Sequence, residues 1–529
     1  MTIDIKSVAG KRLEISGETQ VLVVGAGPAG IAAARSAREA GAEVVLVDEN
    51  PVAFEMMGES VPQIWGSRMS GAVRNRNAMT EAMLEARAAL ADLFEIGVDV
   101  RLGTACWGLF ANQPNMGWMP GVVAGLIDEA EGNRYLQCSQ MIVATGRRDM
   151  GLAFPGWDTP GVMGAGAAVM LARLYDALDS RVAVMIGSTD EALMQALDLA
   201  DAGVKIAAII EQADAPVGSD ELVKRVEDAG IAFRLSETPR GVIAGADGVE
   251  GLVLREGTVD CDTVLLGIGA VPMVDLLHAA GARVEFDADR GGFIPVLDEG
   301  AETTLSGLRA AGDCTGIWTA KSADPEIAAV EGRIAAGAAL AALGLEGGEA
   351  AESLAGPAAA TVDPGEYRKA WMRAAVIEAL EEMPVCQCEE VTAREILEVR
   401  PPRYLKVPPR ENETRKLSEI LAEGPPDPDQ VKRLTRAGMG PCQGRRCREQ
   451  IQALLALQED MSLGAIPLAG YRNPVRPLSL GDAAIAEDPQ VATHWEPWFG
   501  IPPQWAPLWT IGDKYTVASL ATTEDYASE

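Results

Sequence analysis

The stretch that most constrains the fold is residues 21–48, which reads as a strand, a glycine turn, a helix and a second strand. Its first four residues are β-branched or apolar, as in a strand that is buried on both faces. Gly25 permits a tight bend, Gly27 lets the backbone approach a pyrophosphate, and Gly30 lets the helix pack closely on the strand. Asp48 ends the second strand, where its carboxylate can accept bonds from both hydroxyls of an adenosine ribose.

The helix after this turn is rich in alanine and stops at Gly41, a residue suited to a left-handed helix cap. Phosphate oxygens would meet unpaired backbone amides at the positive end of the helix. A structural turn in an ordinary βαβ unit is the alternative, but the order and spacing of strand, helix, second strand and acid favour a dinucleotide site. The residues predicted to bind this dinucleotide are Gly25, Gly27, Pro28, Ala29, Gly30, Asp48 and Glu49.

Length and charge limit the classes of function. A chain of 529 residues is too long for one hydrophobic core and predicts about three domains. Its 77 acidic and 45 basic side chains give a net charge of −32, which disfavours nucleic acid and anionic membrane surfaces as partners. No apolar run approaches the roughly 20 residues of a membrane span, and the N-terminal residues lack the apolar core of a signal peptide. We therefore expect no integral membrane segment and a cytoplasmic location, where the eight cysteines are thiols or metal ligands rather than disulfides.

A second βαβ unit over residues 181–211 repeats the hydrophobic pattern of the first. Its turn differs, because Gly187 keeps the first glycine position while Thr189 and Ala192 replace the second and third. A β-branched residue crowds the point where a backbone would touch pyrophosphate. The unit predicts the fold of a nicotinamide-binding domain and leaves open whether NAD(P) or another nucleotide binds there.

Two further strand ends carry small or acidic residues. One apolar strand runs into Thr145 and Gly146, and a later one ends at Gly312 and Asp313. An acid at the second of these ends can bind a ribityl hydroxyl of a flavin, and a helix predicted over residues 327–343 follows it. An ordinary turn with a helix N-cap is the alternative.

The order of these features over residues 20–345 resembles the glutathione-reductase-type flavoproteins. The resemblance implies an α/β fold with two dinucleotide-binding domains, in which a nicotinamide-type domain is inserted within an FAD domain. It adds Thr145, Gly146, Gly312 and Asp313 to the residues predicted to bind FAD. The redox CxxC pair of such proteins is missing, so we do not expect a disulfide reductase mechanism. The cysteines of this part stand singly, and Cys314 alone falls near the expected flavin: Cys106, Cys138, Cys261 and Cys314.

The remaining four cysteines form a CxC pair, Cys386 and Cys388, and a Cx4C pair, Cys442 and Cys447. Scattered buried thiols rarely pair in this way, and four thiolates can hold zinc or an iron–sulfur cluster. Both pairs are predicted at helix entrances, the first just before a capping box. Zinc remains an alternative, but a flavoprotein has a use for a one-electron centre, which favours the cluster.

Residues 435–447 resemble bacterioferritin-associated-ferredoxin-like domains, which bind [2Fe-2S], although residues 401–426 form an insertion. Over residues 20–482 the chain resembles the large A (alpha) subunit of heteromeric dehydrogenases of the opine oxidase, D-hydroxyproline dehydrogenase, dye-linked L-proline dehydrogenase and hydrogen cyanide synthase type. The resemblance implies a partner similar to D-amino acid dehydrogenase or sarcosine oxidase beta, which oxidises a C–N bond, and, as a further partner, a small ferredoxin-like subunit. This chain would relay the electrons.

These features predict the limits of the domains, and residues 483–529 form a C-terminal tail. The tail is dense in aromatic residues without a helical period, which predicts an arm over a partner subunit, or alternatively an arm folded back on its own domain. The predicted parts are residues 1–155 and 285–346 for FAD, 156–284 for the NAD-like insert, 347–370 for a linker, 371–482 for the [2Fe-2S] domain, and 483–529 for the tail with Trp495, Trp498, Trp505 and Trp509.

The sequence offers no catalytic base for substrate oxidation. Its two histidines, His278 and His494, are both predicted to be structural. The leading hypothesis is an electron-transferring subunit. The rival hypotheses are a freestanding NAD(P)H-dependent reductase of a ferredoxin-like acceptor and a non-catalytic assembly subunit.

Overall fold

The computed structural model describes residues 15–52, 68–112, 121–346, 356–357, 362–378, 383–400, 419, 422, 424 and 426–483. The strands are β1 (Ile15–Val24), β2 (Val44–Asp48), β3 (Asp99–Leu102), β4 (Ala105–Phe110), β5 (Val122–Asp128), β6 (Gly132–Val143), β7 (Arg147–Asp149), β8 (Val162–Gly164), β9 (Val182–Ile186), β10 (Lys205–Ile210), β11 (Phe233–Arg234), β12 (Pro239–Gly245), β13 (Gly248–Leu254), β14 (Thr258–Asp260), β15 (Thr263–Leu266), β16 (Ala270–Pro272), β17 (Val284–Asp287), β18 (Gly292–Pro295), β19 (Leu308–Ala310), β20 (Pro384–Cys386) and β21 (Val391–Thr392). The helices are α1 (Pro28–Glu39), α2 (Arg76–Ala86), α3 (Ala88–Glu95), α4 (Ala165–Arg173), α5 (Asp190–Asp201), α6 (Asp220–Asp228), α7 (Asp275–Ala280), α8 (Thr319–Ala323), α9 (Pro325–Ala342), α10 (Pro364–Met372), α11 (Ala393–Glu398), α12 (Pro428–Thr435), α13 (Arg448–Gln458) and α14 (Leu480–Ala483).

The first sheet is built around β1, as the apolar run before the first glycine turn predicts. Its strand order is β3-β2-β1-β6-β5-β4, and β19 returns from late in the chain to pair with β6. β1 is parallel to both β2 and β6, and its residues Val21, Leu22 and Val23 are fully buried. Helices α1 and α9 cover one face of this sheet. The carboxyl ends of β1, β2, β6 and β19 therefore meet at one edge, where the residues predicted to bind the flavin dinucleotide lie.

The second sheet has the all-parallel order β11-β10-β9-β15-β8. A three-stranded antiparallel sheet, β12-β13-β14, follows its helices, and the antiparallel pair β7-β16 carries the chain out of and back into the first half of the molecule. The predicted α/β class with two dinucleotide-binding units is therefore confirmed.

The described residues between 364 and 458 contain the two cysteine pairs and are called here the cysteine-rich unit. This small, mainly helical unit shares its hydrophobic core with the second sheet. Trp371 of α10 and Leu454 of α13 belong to the same buried cluster as Val184 and Val264 of the second sheet. The chain then crosses back to the first sheet, where the amide of Val475 donates to the carbonyl of Trp107 at 2.7 Å. None of the described helices is long and apolar enough to cross a membrane.

Several local expectations are wrong in their limits. The alanine- and leucine-rich residues 79–93 predict a single helix, but Arg87, with φ −129° and ψ 72°, separates α2 from α3. Residues 1 to about 20 are predicted to form a short lead-in hairpin, but residues 15–20 belong to β1, because they pair with β6. The helix that Asp427 opens is predicted to end at Gly438, but α12 ends at Thr435, since Arg436 adopts the left-handed conformation. Helix α10 begins at Pro364, inside the segment expected to be a linker.

Other expectations fall on residues that the structure does not describe. They concern the start of the lead-in segment, most of the insertion and nearly all of the tail. These are residues 1–14, residues 401–418, and residues 484–529 with Trp495, Trp498, Trp505, Trp509 and His494.

The contact between α1 and α9 gives a stability prediction. A Cβ atom added at Gly332 of α9 would lie 2.0 Å from the carbonyl oxygen of Ala29. Alanine normally stabilises a helix relative to glycine. Here we expect Gly332→Ala to lower the free energy of unfolding by about 1–3 kcal/mol, because the helices must separate. Chemical denaturation measures it.

The matched control is Gly241→Ala, because in the part of the chain that the structure describes a Cβ at Gly241 meets no atom within 4 Å. This variant should unfold like the unaltered protein. Equal stability of the Gly332→Ala protein would contradict the close helix contact.

Candidate cofactor and cysteine sites

A cavity of about 1090 Å³ opens at the carboxyl edge of the first sheet. It brings together ten of the eleven residues predicted to bind a flavin dinucleotide, although they come from four separate parts of the chain. Gly30 is the exception and lies beneath the first turn. The ten residues in the cavity wall are Gly25, Gly27, Pro28, Ala29, Asp48, Glu49, Thr145, Gly146, Gly312 and Asp313.

The three glycines of the first turn, residues 25–30, have different physical roles. Gly25 has φ +111°, and a Cβ there would lie 2.2 Å from the carbonyl oxygen of Ala144. A Cβ at Gly30 would lie 1.8 Å from the carbonyl oxygen of Gly25. A Cβ at Gly27 would meet no atom of the described residues within 4 Å, so none of their contacts requires a glycine there. Its missing side chain leaves room on the cavity side, as close approach of a ligand requires.

The amino end of α1 is free to bind an anion. Gly27 is its N-cap, the first turn contains no acidic residue, and no side chain of the described residues caps the helix. The first backbone N–H groups of a helix lack intrahelical partners and carry a partial positive charge. A diphosphate in the cavity would satisfy them.

Two carboxylates border this end of the cavity. Asp48 accepts bonds from the amide of Ala26 at 2.5 Å and the amide of Asn50 at 2.7 Å, and burial raises its pKa. Glu49 forms a two-pronged pair with Arg476, in which one contact measures 2.9 Å. Burial alone would raise the pKa of Glu49, but the guanidinium of Arg476 outweighs it and the pKa falls. The segment after the cysteines thus closes over the adenosine end of the predicted site.

A buried ion pair holds the turn at Gly312 and Asp313. Lys321 lies 2.7 Å from Glu331 and donates to the carbonyl of Gly312 at 2.8 Å, while Glu331 accepts from the amide of Gly312 at 2.7 Å. Asp313 remains in the cavity wall, 3.3 Å from Arg147. Its carboxylate is placed where a polyol chain could reach it.

These features fit an FAD. The cavity exceeds what most small-molecule sites need, and its two ends supply the donors and acceptors for a diphosphate, a ribose and a ribityl chain. The groups that would hold the diphosphate are the amides at the start of α1. Asp48 and Asp313 would hold the two polyol parts.

The four predicted ligand cysteines lie together in the cysteine-rich unit. The Sγ atoms of Cys386 and Cys388 are 4.0 Å apart, and those of Cys388 and Cys442 are 3.6 Å apart. Cys447 interacts with the thiol of Cys386 and stands at the amino end of α13. The predicted capping box of Thr392 and Glu395 is confirmed at the start of α11.

The donor set is composed of thiols. The acid that follows the first pair, Glu389, is held by Arg436 at 2.9 Å. Glycine makes room for the thiols, since a Cβ at Gly440 would lie 2.4 Å from the Sγ atom of Cys388. Within the described ranges, no group of three or more histidine, cysteine, aspartate or glutamate side chains is arranged to hold a single metal ion. A two-iron cluster does not need its four thiolates to converge on one ion, so the set fits such a cluster.

The loop between the second cysteine pair, residues 442–447, is also part of the cavity wall. Arg445 and Arg446 of this cysteine loop line the cavity. Arg446 lies over the ring of Trp157, another wall residue, at 5.2 Å, and Trp157 donates to the carbonyl of Pro384 at 2.6 Å. Part of the cavity wall and two of the four thiols therefore belong to the same short loop.

Charged contacts join the cysteine loop and the start of α13 to β7 and α7, two elements that border the cavity. Arg148 pairs with Glu449 at 2.6 Å and donates to the carbonyl of Arg445 at 2.9 Å. Arg445 faces Asp275 at 3.6 Å, and both side chains are almost fully buried. Removing one partner of a buried pair leaves an uncompensated charge. These contacts therefore hold the cysteine loop against the cavity.

The second glycine turn, residues 187–192, has the same backbone conformation at its first glycine as the first turn, but its helix end carries different side chains. Gly187 has φ +100°, and a Cβ there would lie 2.6 Å from the carbonyl oxygen of Gly267. Thr189 caps helix α5 by accepting from the amide of Ala192 at 3.3 Å. Thr189 is therefore a helix cap, and Ala192 is fully buried.

Two other residues singled out from the sequence are structural. Cys314 is fully buried, its thiol donates to the carbonyl of Val143 at 3.3 Å, and burial raises its pKa to about 11. His278 accepts from the amide of Tyr471 at 3.4 Å, and burial lowers its pKa. Neither lines the cavity.

Sequence reasoning missed Lys321, Glu331, Arg147 and Arg476. Arg147 and Arg476 act through partners distant in sequence, Glu191, Asp313 and Glu49, of which a single arginine carries no local sign. Lys321 and Glu331 are ten residues apart, but they lie on different helices, so no helical spacing indicates their contact. The sequence makes Arg445, Arg446 and Arg448, which flank Cys447, candidates for tuning the potential of the predicted cluster, but it does not predict that Arg445 and Arg446 line the cavity.

The contrast between two glycines gives a test of the cavity as a flavin site. We expect Gly27→Ala to fold normally but to bind FAD at least about tenfold more weakly, because the methyl group occupies the approach of the diphosphate and costs a charge-assisted hydrogen bond. Equilibrium titration of the flavin-free protein with FAD measures the affinity.

Gly30→Ala provides the comparison, because its added Cβ clashes with the protein and not with a ligand. Its unfolding midpoint without flavin should fall, while that of Gly27→Ala should not. Full FAD affinity in Gly27→Ala would contradict the assigned site.

Comparisons with known proteins agree with this geometry. Residues 19–335 match the sequence profile of the family described as pyridine nucleotide-disulphide oxidoreductase. The chain is 29% identical over 518 residues to the A subunit of opine oxidase from Agrobacterium tumefaciens (strain Ach5), with 92% of this chain and 94% of that protein covered. It is 27% identical over 498 residues to the A subunit of opine oxidase from Rhizobium meliloti, with 88% and 87% covered. In fold it is similar to L-proline dehydrogenase from P. horikoshii, with a TM-score of 0.58, 20% identity, and 90% of this chain and 81% of that chain covered.

Proposed function

The chain belongs to the pyridine nucleotide-disulphide oxidoreductase family, and from this premise we propose that it is the FAD- and [2Fe-2S]-containing electron-transfer subunit of a heteromeric dehydrogenase. The complex would oxidise a C–N bond of a secondary amine, an opine or a proline-type amino acid. The observation that carries the proposal is the cysteine loop, which belongs both to the four-thiol set and to the wall of the cavity.

Disulfide reduction is a poor alternative for this oxidoreductase. Cys106 is the only cysteine in the described wall of the cavity, and burial raises its pKa to about 12. A thiol in this state is a weak nucleophile, and a disulfide needs two. The thiols that do lie together are those of the cysteine-rich unit.

The chain's own residues would bind, orient and shield the two redox groups. A bound FAD supplies two-electron uptake and one-electron release, and a [2Fe-2S] cluster accepts one electron at a time. The amides of α1, Asp48 and Asp313 would fix the dinucleotide. Arg446 would place positive charge between the cavity and the thiols, since it lies in the field of Cys442, Cys388 and Cys447.

We assign the oxidation of substrate to another subunit. The described cavity wall holds no histidine. The two relatives that are A subunits of opine oxidase support a multi-subunit assembly. The proposed partner is a flavoprotein similar to D-amino acid dehydrogenase or sarcosine oxidase beta, and residues 483–529 are the segment proposed to contact it.

Iron content tests the thiol set. We expect Cys388→Ser and Cys442→Ser to lose most of their iron and sulfide, because a serine oxygen replaces a thiolate that the iron requires. Metal analysis and the visible spectrum of each purified variant measure this loss. Cys138→Ser is the matched control, since Cys138 is a buried thiol of β6 outside the set.

The control should keep its iron and its flavin. Zinc in the unaltered protein, or iron that survives both substitutions, would contradict the cluster. Co-purification of a flavoprotein partner that reduces this chain in the presence of an amine substrate would support the electron-transfer role.

A further inference from the structure

The acid at the end of the second βαβ unit is already bound by the protein. Glu211 follows β10 at the position where a dinucleotide-binding domain presents an acid to a ribose. It is fully buried, and it accepts from the hydroxyl of Ser188 at 2.6 Å, the hydroxyl of Tyr367 at 2.8 Å and the amide of Ala213 at 3.1 Å. It has little capacity left for the two hydroxyls of a ribose.

Tyr367 occupies the space between the second turn and this acid. In the first unit the turn amide of Ala26 donates directly to Asp48 at 2.5 Å. In the second unit the equivalent amide, that of Ser188, donates to the hydroxyl of Tyr367 at 3.1 Å, and this hydroxyl in turn donates to Glu211. A phenol from α10 is inserted where the first unit has a direct contact.

The amino end of α5 is also closed to phosphate. Thr189 caps it, and Asp190 and Glu191 lie in its first turn, whereas α1 has no acid in its first turn and no capping side chain among the residues that the structure describes. Two carboxylates neutralise the positive helix end and would repel a diphosphate. The following loop covers the turn, because the amide of Val217 donates to the Ser188 hydroxyl at 3.1 Å and the amide of Ser219 donates to Asp190 at 2.6 Å.

Helix α10 is held in this position along its length. Arg368 donates to the carbonyl of Ala270 at 2.6 Å and to that of Gly291 at 2.8 Å. Lys369 donates to the carbonyl of Met461 at 3.0 Å, and Trp371 is fully buried. Opening the second turn would therefore require the whole helix to leave its core.

We propose that the second turn and Glu211 form a docking socket for Tyr367, which anchors the cysteine-rich unit and excludes pyridine nucleotides. The socket consists of Ser188, Glu211 and the amino end of α5. The protein thus would not take electrons directly from NADH or NADPH. The meaning of this exclusion for electron transfer rests on the proposed function, whereas the socket rests on the contacts of Tyr367.

Nucleotide binding tests the exclusion. NADH and NADPH are titrated separately into the full chain carrying its own flavin and metal, by calorimetry and by anaerobic absorbance. We expect no saturable binding with a Kd below about 1 mM, the weak end of the usual enzymatic range, and no rapid bleaching of the flavin. Saturable binding or bleaching in milliseconds would overturn the exclusion.

Hydrogen exchange tests the socket. Tyr367→Phe removes one hydroxyl and leaves Glu211 and the Ser188 amide each short of a partner. We expect faster amide exchange at Ser188 and in residues 364–372, and a Tm lower by about 2–4 °C. Tyr135→Phe, on β6 of the first sheet, is the matched control and should change neither. Unchanged exchange in Tyr367→Phe would overturn the anchoring role.

Flavin and iron are measured on the same samples. If both are present and the nucleotides bind, the exclusion fails and the electron-transfer proposal stands. If the flavin or the iron is missing from the unaltered protein, the proposed function fails while the exchange result still decides the socket.

Discussion

The buried pair of Arg148 and Glu449 is the interaction on which the functional arrangement most depends. Arg148 lies in β7 and lines the cavity, and Glu449 lies in the first turn of α13, two residues after the cysteine loop. Their contact, together with that between Arg445 and Asp275, holds the loop as a wall of the cavity. Since losing one partner of a buried pair costs about 3–5 kcal/mol, the distance between cavity and thiols is fixed by electrostatics as well as by the shared apolar core.

The two βαβ units of this chain share one backbone arrangement but differ in the side chains at the amino end of the helix. The first keeps an uncapped helix end over open space, so its backbone amides remain available to an anion. In the second unit, Thr189 caps the helix, and two acids in the first turn offset the positive charge of the helix end. The hydroxyl of Tyr367 donates to Glu211, the acid at the strand end. Both units keep the same strand order and the same first glycine. The difference between them lies in a few side chains at the helix end. The second unit is used as a structural support for the cysteine-rich unit.

Sequence predicted what local spacing determines. The first turn, Asp48, the two later strand ends and the Cys386 to Cys447 set are short patterns with a physical reason for each residue, and the structure brings the first three groups to one cavity. The break between α2 and α3 was missed because alanine and leucine continue through Arg87. Tyr367 could not be predicted, because its partners lie more than 150 residues away and a tyrosine on a helix carries no sign of them. Long-range contacts of single polar side chains are the part that required the structure.

We propose that one chain carries a flavin and a two-iron cluster in electronic contact. This contact can be measured by anaerobic titration of the full-length protein with dithionite, followed by absorbance and by electron paramagnetic resonance. We expect uptake of about three electron equivalents per chain, two for the flavin and one for the cluster, with a signal from the reduced cluster. Uptake of two equivalents with no iron signal would show that the cluster is missing.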